Sequence, residues 1–262
     1  MYKILANSLF LGKKVIYMPS CHSTNDIAME MARKSDIPEG TVIITDDQLK
    51  GRGQRGNEWV TAAGKNITMS IVLKPNFVKA SSQFSLNMAI SLAVNATVKQ
   101  LLSEINCSVK WPNDVLVNRK KISGILIENS LSGKNLDYSI VGVGLNVNQS
   151  IFNGISATSL KNELKYELQL QDVFQRLVEN IEAFYLRLKA GRLSGIKEEY
   201  LSSLYGYKIK LKYRSEFEFE GTIEDVADSG YSTLKRSNSY FNLRTIFDIP
   251  SFLPYLCAAN NI

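Results

Sequence analysis

Segments with helical and with strand-like hydrophobic periodicity alternate along most of the chain, and this order constrains its fold. Apolar residues recur near every 3.6 positions in 81–105 and 170–191, and 23–34 opens like a capped helix. Short β-branched or alternating runs lie between these segments and predict strands at 41–45, 66–74, 109–117, 122–130 and 137–148. This interleaving predicts an α+β fold with a mixed, largely antiparallel sheet covered by helices.

The hydrophobic pattern changes after about residue 200. From 205 to 235, short alternating stretches are separated by turn residues, which is typical of small β-barrels. We therefore predict two domains. Residues 1–200 form the mixed sheet with its helices, and 201–262 form a small β-barrel with a tail.

Composition and rare residue types narrow the classes of function. The chain has 262 residues, 45% hydrophobic and 21% charged, which is the balance of a globular protein that buries its own core. A single histidine, His22, leaves almost nothing for a zinc site or a Ser/His/Asp triad. Three cysteines without a CxxC pair favour a reducing compartment. Without a signal-peptide layout or an apolar run of about 18 residues, we expect a cytoplasmic protein that does not use a membrane.

Residues 51–59, GRGQRGNEW, form the most unusual stretch, here called the glycine loop. Glycine costs about 0.5–1 kcal/mol relative to alanine inside a helix or strand, so three glycines here predict a mobile loop. Backbone N–H groups without side chains in the way can surround an anion, and Arg52 and Arg55 add charged donors for phosphate or carboxylate. The stretch is neither a Walker loop nor a dinucleotide fingerprint. The alternative is a surface loop with incidental charges.

Residues 110–126, KWPNDVLVNRKKISGIL, predict a lysine held at the end of a strand. Trp111 precedes a proline, which pushes its backbone into an extended conformation and gives Lys110 a fixed direction. A lysine held in this way can act as a point charge for a carboxylate or an α-phosphate. Gly124 allows a ligand or a backbone segment to approach closely. The alternative is an ordinary hairpin with solvated lysines.

Two further segments fit either a structural or a ligand-binding role. Ser23, Thr24 and Asn25 either cap a helix or present hydroxyl and amide groups to a neutral polar ring. In 141–148, VGVGLNVN, two glycines thin one face of a strand, and Asn146 offers both a donor and an acceptor. If this strand is an edge, it could pair with a second copy of the chain or with a partner domain.

Taken together, these segments resemble the biotin protein ligase family, the enzymes that attach biotin to the carrier protein of acetyl-CoA carboxylase. The resemblance covers about residues 15–150 through STN, Q..GRG.RG..W, KWPND......K..GIL and GLNVN. It implies a fold related to class II aminoacyl-tRNA synthetases and lipoate ligases, followed by an SH3-like barrel. It also implies biotin and ATP as substrates, with Mg²⁺.

The resemblance assigns roles to residues of each motif. It implies that biotin is bound by Ser23, Thr24, Asn25, Gln48, Gly51, Arg52, Gly53, Gln54, Lys110 and Gly124. It implies that ATP is bound by Arg55, Trp59, Asn113, Lys121, Asn146 and Arg244, with Lys120 as an open alternative to Lys121. The catalytic residues are expected to be Lys110, Arg52 and Arg55.

Two departures from the family pattern carry expectations of their own. Gln54 stands where some members have an arginine, which bears on how tightly the reaction intermediate is retained. Fewer than 25 residues precede Ser23, too few for the winged-helix domain of some members, so no DNA partner is expected.

The implied reaction activates biotin as biotinyl-5′-AMP and transfers it to a lysine of the biotin carboxyl carrier domain. One rival is a lipoate or octanoate ligase of the same superfamily, which would need a long apolar channel in place of the polar Ser-Thr-Asn and Gln48 set. The other is a non-catalytic biotin-binding module, which would have little use for Lys110 beside two arginines.

Overall fold

The computed structural model describes residues 2, 7–34, 37–103, 105–214, 218–236, 239–243 and 249–250. The helices are α1 Thr24–Lys34, α2 Phe84–Leu102, α3 Leu160–Leu164, α4 Leu170–Lys189 and α5 Leu193–Ser203. The strands are β1 Val15–Cys21, β2 Val42–Gln48, β3 Ile67–Leu73, β4 Cys107–Lys110, β5 Asp114–Val117, β6 Lys120–Ser132, β7 Asn135–Leu145, β8 Lys210–Arg214, β9 Glu218–Val226, β10 Ser232–Arg236, β11 Ser239–Leu243 and β12 Ile249–Pro250. None of the helices in these ranges combines the length and apolarity needed to cross a membrane.

Seven strands form one mixed sheet in the order β1-β2-β3-β7-β6-β5-β4. Strands β1 and β2 are parallel, and all other neighbours are antiparallel. The predicted mixed sheet is thereby confirmed. Strand β7 pairs with β3 on one side and β6 on the other, so the expectation that VGVGLNVN forms an edge is wrong. Its backbone groups are already paired, which leaves no ladder for a second copy or a partner domain.

Helices cover both faces of this sheet. On one face, α1 packs through Ala28 against Ile43, Val72 and Ile140. On the other face, α2 and α4 pack against the main hydrophobic core. Because both faces are covered, β3 is buried along its whole length, which explains its nearly continuous apolar sequence.

The segment 109–117 was expected to be a strand with Lys110 at a strand end, and the structure divides it in two after Lys110. Strand β4 ends at Lys110 and β5 begins at Asp114, with the chain reversing between them. Pro112 has no backbone N–H and cannot continue a ladder, which gives the physical reason for the break. The next turn, Asn118–Arg119, has positive φ at both residues, the backbone of a tight two-residue hairpin.

The second sheet follows the first and is small and antiparallel, as expected of the predicted barrel. Its order is β11-β10-β9-β8-β12. It contacts the larger unit through the Trp111 indole, which donates to the Gly230 carbonyl at 3.1 Å. A second contact is the Phe84 backbone N–H, which donates to the Asp228 carbonyl at 3.0 Å. The boundary at residue 200 remains a prediction.

Three elements had no sequence prediction: β1, α3 and α5. Helix α3 has five residues, too few for a periodic pattern to be visible. Helix α5 buries only Ile196 and Tyr200, so its apolar stripe is narrow. Both helices are set by their tertiary contacts more than by local pattern.

Candidate active site

One cavity of about 140 Å³ opens on the α1 face of the large sheet, and the separate motifs meet there. The predicted residues that line it are Ser23, Thr24, Asn25, Gln48, Arg52, Gly53, Gln54, Trp59, Lys110, Asn113, Lys121 and Gly124. They come from three separate segments of the chain, 23–25, 48–59 and 110–124, which the sheet order brings to one place.

One wall of the cavity carries polar side chains, here called the ring cluster: Ser23, Thr24, Asn25 and Gln48, which line the cavity, and Ser70, which is buried behind Thr24 and Asn25. The Gln48 side-chain oxygen accepts from the Thr24 backbone N–H at 2.9 Å and lies 3.2 Å from its hydroxyl. Ser70 Oγ lies 2.7 Å from Thr24 Oγ1 and 2.6 Å from Asn25 Oδ1. These bonds fix the orientation of each hydroxyl and amide before a ligand arrives.

Ser23 takes both roles that its sequence left open. Its hydroxyl accepts from the Asp26 backbone N–H at 3.3 Å, which caps the first turn of α1. The same side chain is buried and lines the cavity. Capping and lining are compatible because the N-terminus of α1 points its first turn at the cavity.

The glycine loop folds back on itself beside the ring cluster. A short 3₁₀ helix spans Gln54–Gly56, and the Trp59 backbone N–H donates to the Gly51 carbonyl at 2.9 Å. The Arg52 guanidinium Nη2 donates to Asp26 Oδ1 at 2.6 Å and to Glu128 Oε2 at 2.8 Å. These two carboxylates hold the arginine at the edge of the cavity.

Lys110 is the most deeply buried cation among the described lining residues, with 9% of its surface exposed. It stands at the last position of β4, directly before the chain reversal. The neighbouring Asn113 braces that reversal, because its amide donates to the Ile125 carbonyl of β6 at 2.8 Å. A cation buried at this depth is stabilised by a nearby anionic group, which suits a site for a carboxylate or phosphate.

One of the two adjacent lysines lines the cavity. Lys121 is half-buried, and its Nζ lies 2.7 Å from Asp114 Oδ1 and 5.4 Å from the Trp59 ring centre. Lys120 is exposed and absent from the cavity lining. Successive side chains of a strand point to opposite faces, so only one of the two reaches the site.

The glycines of β7 form the floor under these side chains. A Cβ atom on Gly144 would lie 2.2 Å from Cε2 of the Trp59 ring, and one on Gly142 would lie 2.3 Å from Asn25 Oδ1. Only glycine permits both approaches. The absence of side chains at these two glycines therefore makes room for the indole ring and for the ring cluster.

Some expected site residues lie elsewhere or outside the described residues. Asn146 is buried, and its amide donates to the Thr158 carbonyl at 3.0 Å instead of lining the cavity. Gly51 lies next to the cavity, where a Cβ would meet the Trp59 carbonyl at 2.1 Å. The backbone of Arg55 lies in the 3₁₀ helix, but its side chain and the whole of Arg244 fall outside the described part.

The comparisons with known proteins agree with this arrangement. Residues 17–146 match the biotin/lipoate A/B protein ligase family. The bifunctional ligase/repressor BirA of Bacillus spizizenii is 34% identical over 140 residues, 53% of this chain and 42% of that protein. The biotin–[acetyl-CoA-carboxylase] ligase of Mycobacterium tuberculosis is 29% identical over 213 residues, 79% of this chain and 78% of that protein.

A solved structure shows the same fold. Biotin protein ligase from Aquifex aeolicus in complex with biotin and ATP superposes with a TM-score of 0.74 at 25% identity, covering 89% of this chain and 96% of that one. Over residues 17–146 the chain is similar to the biotin/lipoate A/B protein ligase family, and its fold is that of a biotin protein ligase. The alignments to the Bacillus relatives span less than half of the length of those proteins.

Sequence reasoning had not singled out three residues that contact the cavity lining: Glu128, Asp26 and Ser70. A signal for two of them exists in the strand period of two. Ser70 follows Asn66 and Thr68 on one face of an otherwise apolar segment, and Glu128 follows Gly124 and Leu126 in the same way. A polar residue that repeats this alternation inside a buried strand indicates a functional face.

The described cysteines take no part in the site. Burial raises the pKa of the Cys107 thiol to about 12, and it also raises the pKa of the Cys21 thiol. Thiols with raised pKa values are poor nucleophiles at neutral pH. Within the described ranges there is also no group of three or more His, Cys, Asp or Glu side chains that could hold a metal ion.

Proposed function

We propose that this protein is a biotin–protein ligase that activates biotin with ATP and transfers it to a lysine of a carrier domain. The observation that supports this most is the placement of Lys110 in the same cavity as the ring cluster and Arg52. Side chains that can bind a neutral polar ring, a carboxylate and a phosphate therefore lie together in one small cavity.

In the first step, a biotin carboxylate oxygen attacks the α-phosphorus of ATP, and the bond from that phosphorus to the bridging oxygen breaks. The products are biotinyl-5′-AMP and pyrophosphate. The ring cluster binds the ureido ring, and Lys110 lies where it can hold both anions together. Preset positive charge of this kind lowers the barrier because it requires no reorganisation during the reaction.

In the second step, the amine of the acceptor lysine attacks the acyl carbon, the bond to the phosphate oxygen breaks and AMP leaves. The amine loses its proton in this step. The glycine loop is placed to cover the mixed anhydride and to keep water away until the acceptor arrives. We infer that the acceptor is the biotin carboxyl carrier domain of a biotin-dependent carboxylase.

Nucleotide binding is proposed for the opposite end of the cavity. Lys121, Asn113 and the Trp59 ring line it there, with Arg55 and Arg244 as further candidates from the sequence. The cavity lining includes two carboxylates, Glu58 and Asp114. Mg²⁺ is typically held by one or two carboxylates and the substrate phosphates, so these residues fit an ion that enters with ATP and neutralises its phosphates.

The ring cluster also favours biotin over lipoate or octanoate. A straight acyl chain offers no donor or acceptor to the Thr24, Asn25 and Gln48 side chains, so it would cover their remaining hydrogen-bonding capacity without a partner, which costs about 1–3 kcal/mol for each group left unpaired. The cytoplasmic location remains a prediction of the sequence.

The deciding experiment is exchange of labelled pyrophosphate into ATP with purified protein, given biotin, lipoate or octanoate in turn. We expect exchange with biotin alone. Exchange supported by lipoate or octanoate but not by biotin would assign the protein to the rival ligases. Biotin binding with no pyrophosphate exchange under any condition would show that the protein is a non-catalytic biotin-binding module.

A further inference from the structure

Glu128 contacts both the ring cluster and the glycine loop, and it has no role in the reaction proposed above. It lies on β6, on the same face of the strand as the cavity-lining Gly124 and Leu126. Its side chain is 28% exposed. It therefore stands between the sheet and the glycine loop, at the edge of the cavity.

A single carboxylate oxygen of Glu128 contacts both the ring cluster and the glycine loop. Oε2 accepts from Asn25 Nδ2 at 2.8 Å and from Arg52 Nη2 at 2.8 Å, and Oε1 lies 3.1 Å from the same guanidinium nitrogen. Asn25 belongs to the ring cluster, and Arg52 belongs to the glycine loop. A hydrogen-bonded path thus runs from Gln48 through Thr24, Ser70, Asn25 and Glu128 to Arg52.

The contact to Asn25 also helps to determine which way its amide points. The amide nitrogen donates to Glu128 Oε2 at 2.8 Å and to the Leu126 carbonyl at 3.3 Å, so the amide oxygen is turned towards Ser70, 2.6 Å away. Asn25 is 4% exposed, so a reversed amide would leave buried groups mispaired. Glu128 in this way orients a member of the ring cluster as well as the loop arginine.

Asp26 provides a natural comparison, because it shares only one of these contacts. Its carboxylate accepts from Arg52 Nη2 at 2.6 Å, and its contact with the ring cluster is through its backbone N–H, which donates to Ser23 Oγ. An exposed ion pair alone contributes little, about 0–1 kcal/mol. The bond to a buried amide distinguishes Glu128 from Asp26.

We propose that Glu128 is a positioning residue that couples the ring cluster to Arg52, so that biotin in the ring site holds the glycine loop over the cavity. The proposal rests on the proposed function, since it takes biotin as the occupant of that site. Coupling of this kind is a free energy shared between two sites, and it appears as a change in one when the other is filled.

The test measures two quantities in wild type and in three variants: the Kd for biotin by calorimetry, and the slowing of tryptic cleavage in the glycine loop when biotin alone is added. Glu128→Gln should raise the Kd about tenfold, equivalent to about 1.4 kcal/mol, and remove most of the biotin-dependent protection. Asp26→Asn should speed cleavage without ligand, but it should raise the Kd less than Glu128→Gln does and keep most of the biotin-dependent protection. Glu30→Gln, at a carboxylate that pairs with Lys34 on the same helix, should change neither.

The outcomes separate this inference from the proposed function. If wild-type protein supports biotin-dependent pyrophosphate exchange but Glu128→Gln keeps the wild-type Kd and protection, the coupling role is wrong and the ligase assignment stands. Equal effects of Glu128→Gln and Asp26→Asn on both quantities also refute it, since Asn25 would then play no part. The biotin-induced rise in melting temperature, measured for each variant, gives the same comparison if a substitution lowers basal stability.

Discussion

The carboxylate of Glu182 offers the sharpest test of how the N-terminal segment is held. This residue lies on α4 and is 6% exposed. Its Oε1 accepts from the backbone N–H groups of Phe10 and Leu11, both at 2.8 Å, and its Oε2 accepts from that of Leu9 at 2.7 Å. Three consecutive donors thus depend on one side chain, just ahead of β1.

The magnitude follows from the exposure of the three donors. Leu11 is fully buried, whereas the Leu9 side chain is 75% exposed, so water can replace the bond to Leu9 more easily than the bond to Leu11. A buried donor left unpaired costs about 1–3 kcal/mol, and bonds to a charged group are at the upper end of the usual range. We expect Glu182→Ala to lower the free energy of unfolding by about 3–4 kcal/mol. Glu182→Gln keeps one acceptor oxygen and should lower it by about 2 kcal/mol.

Urea unfolding followed by circular dichroism measures this loss, and hydrogen exchange at residues 9–11 locates it. A matched control is Glu179→Gln on the same helix, at a carboxylate that accepts from the Gln175 amide. The control should change stability by less than about 0.5 kcal/mol. If Glu182→Ala is as stable as this control and the exchange protection of residues 9–11 is unchanged, the anchoring argument is wrong.

Three further predictions concern the site. Lys110→Ala should lower biotin-dependent pyrophosphate exchange at least about 10²-fold with an unchanged melting temperature. The control Lys120→Ala, outside the cavity, should keep the exchange rate within about twofold of wild type. Equal exchange rates for the two variants would show that Lys110 has no role in the mechanism. Asn146→Ala should leave the Thr158 carbonyl unpaired and lower stability by about 1–2 kcal/mol in a urea titration; a raised KM for ATP with unchanged stability would instead favour its expected nucleotide role. Tryptic cleavage within 51–56 should slow when biotin and ATP are both added, and equal rates with and without them would count against a closing loop.

The chemistry of each motif could be predicted from the sequence because its residue types strongly constrain the local backbone. Three glycines in nine residues exclude regular structure, and the Trp-Pro step excludes a helix at Lys110. The order of helices and strands followed from periodicity, and the α+β architecture with a small second sheet was confirmed. Where local pattern was weak, as in α5 and β1, no prediction was made.

Other properties depended on which strands become neighbours. The sequence allowed β7 to be an edge, but pairing with β3 and β6 places it inside the sheet. The choice between Lys120 and Lys121 required the strand register, since a shift of one residue exchanges the two faces. The partners of Arg52 lie 26 and 76 positions away along the chain, beyond the reach of any local pattern.

The amino-acid sequence by itself therefore determined the class of fold, the residue types at the site and the kind of ligand they suit, because propensity and hydrogen-bonding capacity are properties of short segments. Only the tertiary structure decided that the ring cluster, Lys110 and the glycine loop meet in one cavity, and that Glu128 links them. Distances between remote segments are set by sheet order and by the packing of helices on its two faces, and neither is encoded at any single position.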